Sequence, residues 1–223
     1  MKRLLVFIVA LVMLLQMTAY AAHSFKDVDA DSWYSDAVDY VYNKGLMSGT
    51  AYDRFSPDVN MSRAMLVTVL YSMEGKPFSE ARNPFEDVDS SDWFHRAVIW
   101  AYENGIVAGT SQDSFSPNMN ITREQMVAIF SKYVAFKGLS TSATADIGGY
   151  RDCDDISSYA VDAFRWAVQI GIVSGTSTDT LSPCGEANRA QCAVILRSLE
   201  MWMVKQESGD DQLPDIDNGM GWA

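Results

Sequence analysis

The sequence predicts an all-α protein built from three helix-loop-helix repeats. Two observations carry this. The stretches GTAYDRFSPDVNMSR from Gly49, GTSQDSFSPNMNITR from Gly109 and GTSTDTLSPCGEANR from Gly175 share one frame: Gly-Thr, then Ser-Pro, then an Arg six residues after the proline. Beyond each Arg the apolar residues fall at i, i+3, i+4 and i+7. They are Leu66, Val69, Leu70 and Met73 in the first copy, Met126, Ile129, Phe130 and Tyr133 in the second, and Cys192, Ile195, Leu196 and Leu199 in the third. That spacing is one buried stripe of an α-helix, written three times at a period typical of repeat architectures.

Residues 1–21 read as a secretory signal peptide: Lys2 and Arg3, the apolar run LLVFIVALVMLLQM, then TAYAA with Ala19 and Ala21 as the small residues of a cleavage site. The apolar run is shorter than the roughly 20 residues that span a bilayer, so no membrane contact is expected after cleavage. Repeat one is assigned to 22–80, repeat two to 81–140, repeat three to 146–204, and an acidic disordered tail to 205–223. In repeat one the first helix is expected from about Ser35 to Lys44, ending at Gly45, where a positive φ is cheap; Gly105 and Gly171 stand at the matching positions. The second helix of each repeat opens on an N-cap residue: Ser62, Thr122 or Asn188. Gln125 and Gln191 are placed to complete capping boxes, whereas Met65 is not expected to. The links GKPFSEARNP and GLSTSATADIGG are rich in breakers and small polar residues.

The formal net charge of −12 becomes −14 if Lys2 and Arg3 leave with the signal (−12 − 2). An acidic chain repels phosphate backbones, which argues against a nucleic-acid partner. Three cysteines, Cys153, Cys184 and Cys192, make no disulfide framework, although a Cys184–Cys192 bridge is conceivable. DVDADS from Asp27 resembles the start of a calcium loop, but Ser32 and Val38 stand where that loop needs Gly and Glu, so no metal is expected. His95 and Arg96 replace Ser35 and Asp36 of the first repeat, so His95 is not a repeated feature. No nucleophile elbow, zinc-ligand pair or phosphate loop occurs, and neither enzyme activity nor a cofactor is expected.

The landmarks recur in fixed order: Phe-x-Asp-Val, a Trp ahead of the first helix, Gly-[Ile/Leu]-[Val/Met]-x-Gly-Thr, Phe-Ser-Pro, then [Ser/Thr]-Arg. Over about residues 25–200 this resembles three S-layer homology repeats. The motif usually written Thr-Arg-Ala-Glu reads SRAM, TREQ and NRAQ here, and Tyr159 of repeat three replaces Trp33 and Trp93. The resemblance implies a pseudo-threefold helical bundle with grooves between repeats. It also implies noncovalent attachment of a secreted protein to a Gram-positive-type cell wall. The implied partner is secondary cell-wall polysaccharide, with a pyruvylated amino sugar as the commonest ligand, or modified peptidoglycan. A protein–protein module, or a coat component that self-assembles, is the alternative.

The residues themselves suggest an anion site. Arg63, Arg123 and Arg189 each open a helix, where unpaired N–H groups and a guanidinium fork together suit a carboxylate. The same Arg residues are equally placed to pair with Asp27, Asp87 and Asp152 and staple adjacent elements. Trp33 and Trp93 offer faces for a sugar ring or for the core. Gly49, Gly109 and Gly175 allow either a close backbone approach to a ligand or a turn.

Overall fold

The computed structural model describes residues 25–208, which hold six α-helices and no strand. They are α1 (Ser35–Asn43), α2 (Arg63–Met73), α3 (His95–Glu103), α4 (Arg123–Phe136), α5 (Val161–Gln169) and α6 (Arg189–Ser208). A short 3₁₀ turn, Cys153–Asp155, takes up the extra residue of repeat three. The assigned signal peptide and most of the acidic tail lie outside the described residues; α6 itself runs to Ser208, past the boundary expected at 204.

Each repeat supplies two helices, but the helices pack across repeats. α3 lies on α2, α5 on α4, and α1 on α6. The first helix of every repeat thus rests on the second helix of another, and the last repeat closes onto the first. The predicted stripes form the interior: Leu66, Leu70, Met126, Phe130, Cys192, Ile195, Leu196 and Leu199 are fully buried.

At one end of the axis three chain segments close a ring of backbone hydrogen bonds. The Met61 N–H donates to the Ala187 carbonyl (2.8 Å), Ala187 N–H to Ile121 (3.0 Å), and Ile121 N–H to Met61 (2.8 Å). Glu186 accepts from the side-chain amides of both Asn60 and Asn120 above this ring. Lower down, Glu74 takes the Tyr133 hydroxyl (2.6 Å) and Lys137 (2.9 Å), and Lys44 reaches Glu200 (3.2 Å) to tie α1 to α6.

The caps form as the sequence implies, with one correction. Thr122 and Gln125 make a capping box, and Asn188 and Gln191 another. Met65, excluded on sequence grounds, completes the first box: its sulfur accepts the Ser62 N–H at 3.4 Å while Ser62 Oγ accepts the Met65 N–H. A thioether is a weak acceptor, but it is long enough to curl back over the helix start. The three cysteines are free; Cys184 is exposed and Cys192 fully buried, so the conceivable Cys184–Cys192 bridge does not form. Burial pushes the Cys192 thiol up to about 12, which leaves it an inert core residue.

Candidate functional site

The Gly-Thr…Ser-Pro loop is the element that positions everything at the repeat junctions. In repeat one the Thr50 N–H donates to the Arg54 carbonyl (2.9 Å), and the Thr50 and Ser56 hydroxyls meet at 2.6 Å. The hydroxyl pair recurs as Thr110–Ser116 and Thr176–Ser182. Ser56, Ser116 and Ser182 all adopt positive φ (59°, 57° and 51°), a sparsely populated region for a residue with a Cβ. The neighbouring carboxylate holds them there. Asp27 accepts the N–H groups of Phe55 and Ser56, Asp87 those of Phe115 and Ser116, and Asp152 those of Leu181 and Ser182. Burial works against the charge on Asp27, but the two amides outweigh it and keep its carboxyl below the ordinary 3.8; Asp87 follows the same pattern with a further bond from Ser114.

The glycines serve this loop. A Cβ on Gly49 would stand 2.6 Å from the Arg54 carbonyl oxygen and 2.7 Å from the Phe25 ring, and Gly109 is crowded in the same way by Ser114 and Phe85. Of Gly49, Gly109 and Gly175, only Gly175 has positive φ (95°). What fills the space is the loop's own backbone.

Arg63, Arg123 and Arg189 are buried, with Arg123 only 1% exposed. Their guanidinium groups cross to the next repeat and hold backbone carbonyls. Arg63 Nε donates to Phe115 (2.9 Å), Arg123 Nε to Leu181 (2.8 Å), and Arg189 Nε to Phe55 (2.8 Å). Arg63 Nη2 adds Ala108, and Arg189 Nη2 adds Ser48. The guanidinium carbons of Arg63 and Arg189 lie over the Phe115 and Phe55 rings at 4.7 and 4.5 Å. Asp and Arg therefore grip opposite sides of one residue: Asp87 takes the Phe115 N–H, and Arg63, from the preceding repeat, takes its C=O.

The helix N-termini are occupied too. Arg63 N–H donates to Met119 and Ala64 N–H to Pro117; Arg123 and Glu124 reach Gly185 and Pro183; Arg189 and Ala190 reach Val59 and Pro57. The anion pocket expected at these helix starts is thus filled by loop carbonyls of the adjoining repeat. Sequence spacing located the Arg residues on their helices, but what their guanidiniums face depends on which repeat stands next to them.

The aromatic positions divide. Trp93 is 65% exposed and rests edge-on against Phe94 (ring centroids 5.2 Å apart); Trp33 is half-buried against Tyr34. Tyr159 is exposed, but its hydroxyl donates to Glu124 (3.0 Å), and burial followed by that bond pushes it up to about 12. Glu124, which the sequence reading passed over, also accepts from Ser157 N–H and Oγ and so joins repeats two and three.

Two grooves open between packed helices. One, about 350 Å³, lies between α2 and α3 and is lined by Tyr71, Lys76, Phe78, His95, Arg96 and Ile99 among others. The other, about 290 Å³, lies between α1 and α6 and is lined by Asp36, Asp39, Tyr40 and Arg197. They are pseudo-symmetry mates, since Asp36 and Arg96 hold the same position in their helices, as do Arg197 and Tyr71. Among the described residues no group of acidic, His and Cys side chains is arranged to hold a metal ion, and no helix is long and apolar enough to cross a membrane.

The S-layer homology domain model matches residues 24–64, 84–127 and 149–193. The chain is 31% identical over 183 residues to an endoglucanase of Bacillus sp. (strain KSM-635), a match covering 82% of this chain and 19% of that protein. It is 25% identical over 180 residues to an S-layer protein of Bacillus thuringiensis subsp. finitimus (80% of this chain, 21% of that protein). It is 27% identical over 211 residues to a cell surface protein of Thermoanaerobacter kivui (92% of this chain, 25% of that protein). The chain therefore spans a quarter or less of the length of these relatives, and the endoglucanase shares with it only a segment of that small share.

Proposed function

Because the chain belongs to the S-layer homology family, a family of cell-surface anchoring modules, we propose that it binds cell-wall polysaccharide noncovalently through the grooves between its repeats. The ligand is secondary cell-wall polymer carrying a pyruvylated amino sugar, and the setting is the outside of a Gram-positive-type wall. The observation that carries this reading is Trp93: a 65% exposed indole just ahead of α3, in the segment whose Ser90, His95 and Arg96 line the α2/α3 groove. An exposed aromatic face beside a polar groove is what a sugar ring stacks on. Trp33 takes the matching place ahead of α1.

In this reading the repeated Arg and Asp residues do a different share of the work from that expected at helix starts. Arg63, Arg123 and Arg189 with Asp27, Asp87 and Asp152 lock the loops, and Gly49, Gly109 and Gly175 let those loops close. They shape the grooves rather than line them. In the named relatives the matched segment is part of a much longer protein.

The test is sedimentation of the secreted protein with purified, protein-free cell walls, with and without their secondary polymer. Binding that disappears with the polymer is expected. Equal binding to stripped walls would move the ligand to peptidoglycan, and no binding to either would favour self-assembly or a protein partner instead.

A further inference from the structure

We propose that the α2/α3 groove is the one junction of this molecule that takes the acidic group of a glycan, held between Lys76 and Arg96 against the Phe78 ring. The inference rests on the wall-binding reading above and adds which groove works and through which side chains.

Three observations meet there. The first is the breakdown of the repeat. The exposed second residue of the first helix is Asp36 in repeat one and Asp162 in repeat three, but Arg96 in repeat two. In a chain of net charge −12, the α1/α6 groove presents Asp36 and Asp39, and Arg165 at the α4/α5 junction is already paired to Asp162 (3.5 Å). Only the α2/α3 groove carries Arg96 where the matching helix position elsewhere is Asp, and Ile99 stands where Asp39 does.

The second is the placement of Lys76. It follows Gly75 past the end of α2 and has φ of 60°, and its N–H donates to the Tyr71 carbonyl (2.9 Å), which closes the helix end. A left-handed lysine costs of order 1 kcal/mol over a glycine there, and the fixed backbone holds its ammonium stem at the lip of the groove. The third is Phe78, 81% exposed on the same linker and lining the same groove. Of the carboxylates nearby, Glu103 at the end of α3 is engaged by Ser79 Oγ at 2.6 Å, and Glu80 of the linker is exposed.

Two cations lining one groove of about 350 Å³ with an exposed aromatic ring suit one carboxylate carried on one sugar ring. In the field of an otherwise acidic molecule, an anionic ligand is steered to this groove and away from the α1/α6 groove.

The experiment is titration calorimetry of the secreted protein with the methyl glycoside of N-acetylglucosamine bearing a pyruvic acid ketal, alongside wall sedimentation. Arg96→Asp installs the residue already present at the two equivalent positions, and Lys76→Asn keeps a residue type that tolerates the left-handed backbone. Arg96→Asp is expected to weaken the ketal sugar by roughly tenfold or more, and Lys76→Asn to weaken it in the same direction. Arg165→Asp, the same charge change at the α4/α5 junction, is expected to leave the affinity within about twofold. Unchanged helical content by circular dichroism shows that all three variants fold. If Arg96→Asp binds like the wild type, or Arg165→Asp loses as much, the α2/α3 assignment is overturned while wall binding stands. A wild-type protein that sediments with walls but ignores the ketal sugar overturns the assignment as well.

Discussion

Arg123 meets four conditions at once: it opens α4, it is 1% exposed, its Nε holds the Leu181 carbonyl of the next repeat, and burial pulls its guanidinium down to about 10, still charged at neutral pH. Arg123→Ala removes a charged hydrogen bond, orphans a buried carbonyl and opens a cavity. The expected loss is about 3 kcal/mol or more, read as a lower urea midpoint with an unchanged slope. Binding lost at temperatures where the variant is still folded would instead give Arg123 a direct place on the ligand. Asp87 gives a pH signature. Burial opposes its charge, but Ser114 and the amides of Phe115 and Ser116 outweigh it and hold the carboxyl below 3.8. A depressed carboxyl stabilises fully above its unfolded value and loses that contribution as pH falls through the lower folded value. Asp87→Asn should therefore be less stable than wild type at neutral pH, with the gap closing as pH falls below the ordinary carboxyl value of 3.8 and through the lower folded one. The three Arg and three Asp positions were legible in the sequence because they recur at fixed spacing. Their partners were not: the Arg bonds reach carbonyls 45 to 141 residues away, on a loop whose neighbour is set only once the repeats assemble.

Helix boundaries were legible because their signals are local. Gly45, Gly105 and Gly171 end the first helices at φ of 69°, 68° and 74°, and Ser62, Thr122 and Asn188 open the second. Met65 was misjudged because capping statistics rank side chains by acceptor strength, whereas here an unbranched thioether has the reach to meet the Ser62 N–H. Thr122→Ala is expected to cost about 1 kcal/mol, the usual value of an N-cap, in thermal unfolding. Met65→Gln is expected to stabilise by a few tenths of a kcal/mol, since an amide oxygen is the better acceptor; a destabilised Met65→Gln would mean that the methyl end of Met65, packed against the core, matters more than its sulfur. The element that sequence reading missed is the linker after α2. Lys76 and Phe78 have no counterparts in the other repeats, so periodicity draws no attention to them, and only the packing of α3 on α2 makes them walls of a groove.

At the scale of the whole molecule, the described residues form a closed cycle. The Met61–Ala187–Ile121 hydrogen-bond ring and the Arg63, Arg123 and Arg189 staples each run once around the axis, and α1 has its main helical partner in α6, at the other end of the described chain. Such closure makes the repeats interdependent, unlike an open array in which each unit leans only on its sequence neighbours. A chain ending at residue 145 leaves α1 and Phe55 without their repeat-three partners. It is expected to lose cooperative unfolding and to elute as an expanded or self-associated species, whereas a compact monomer with a sharp transition would show that two repeats suffice. That the repeats exist was plain from sequence, but that they exchange helices was not, because each helix's stripe is satisfied equally by its own repeat or by the next. The same closure sets the grooves at the junctions, so the glycan binding proposed above would be a property of the assembled ring. The most direct measurement of that claim is the affinity of the secreted protein for wall polymer released in soluble form, before and after chemical removal of its acidic ketals. Binding that is lost with the ketals is the predicted result; undiminished binding to the ketal-free polymer would contradict recognition of an acidic sugar.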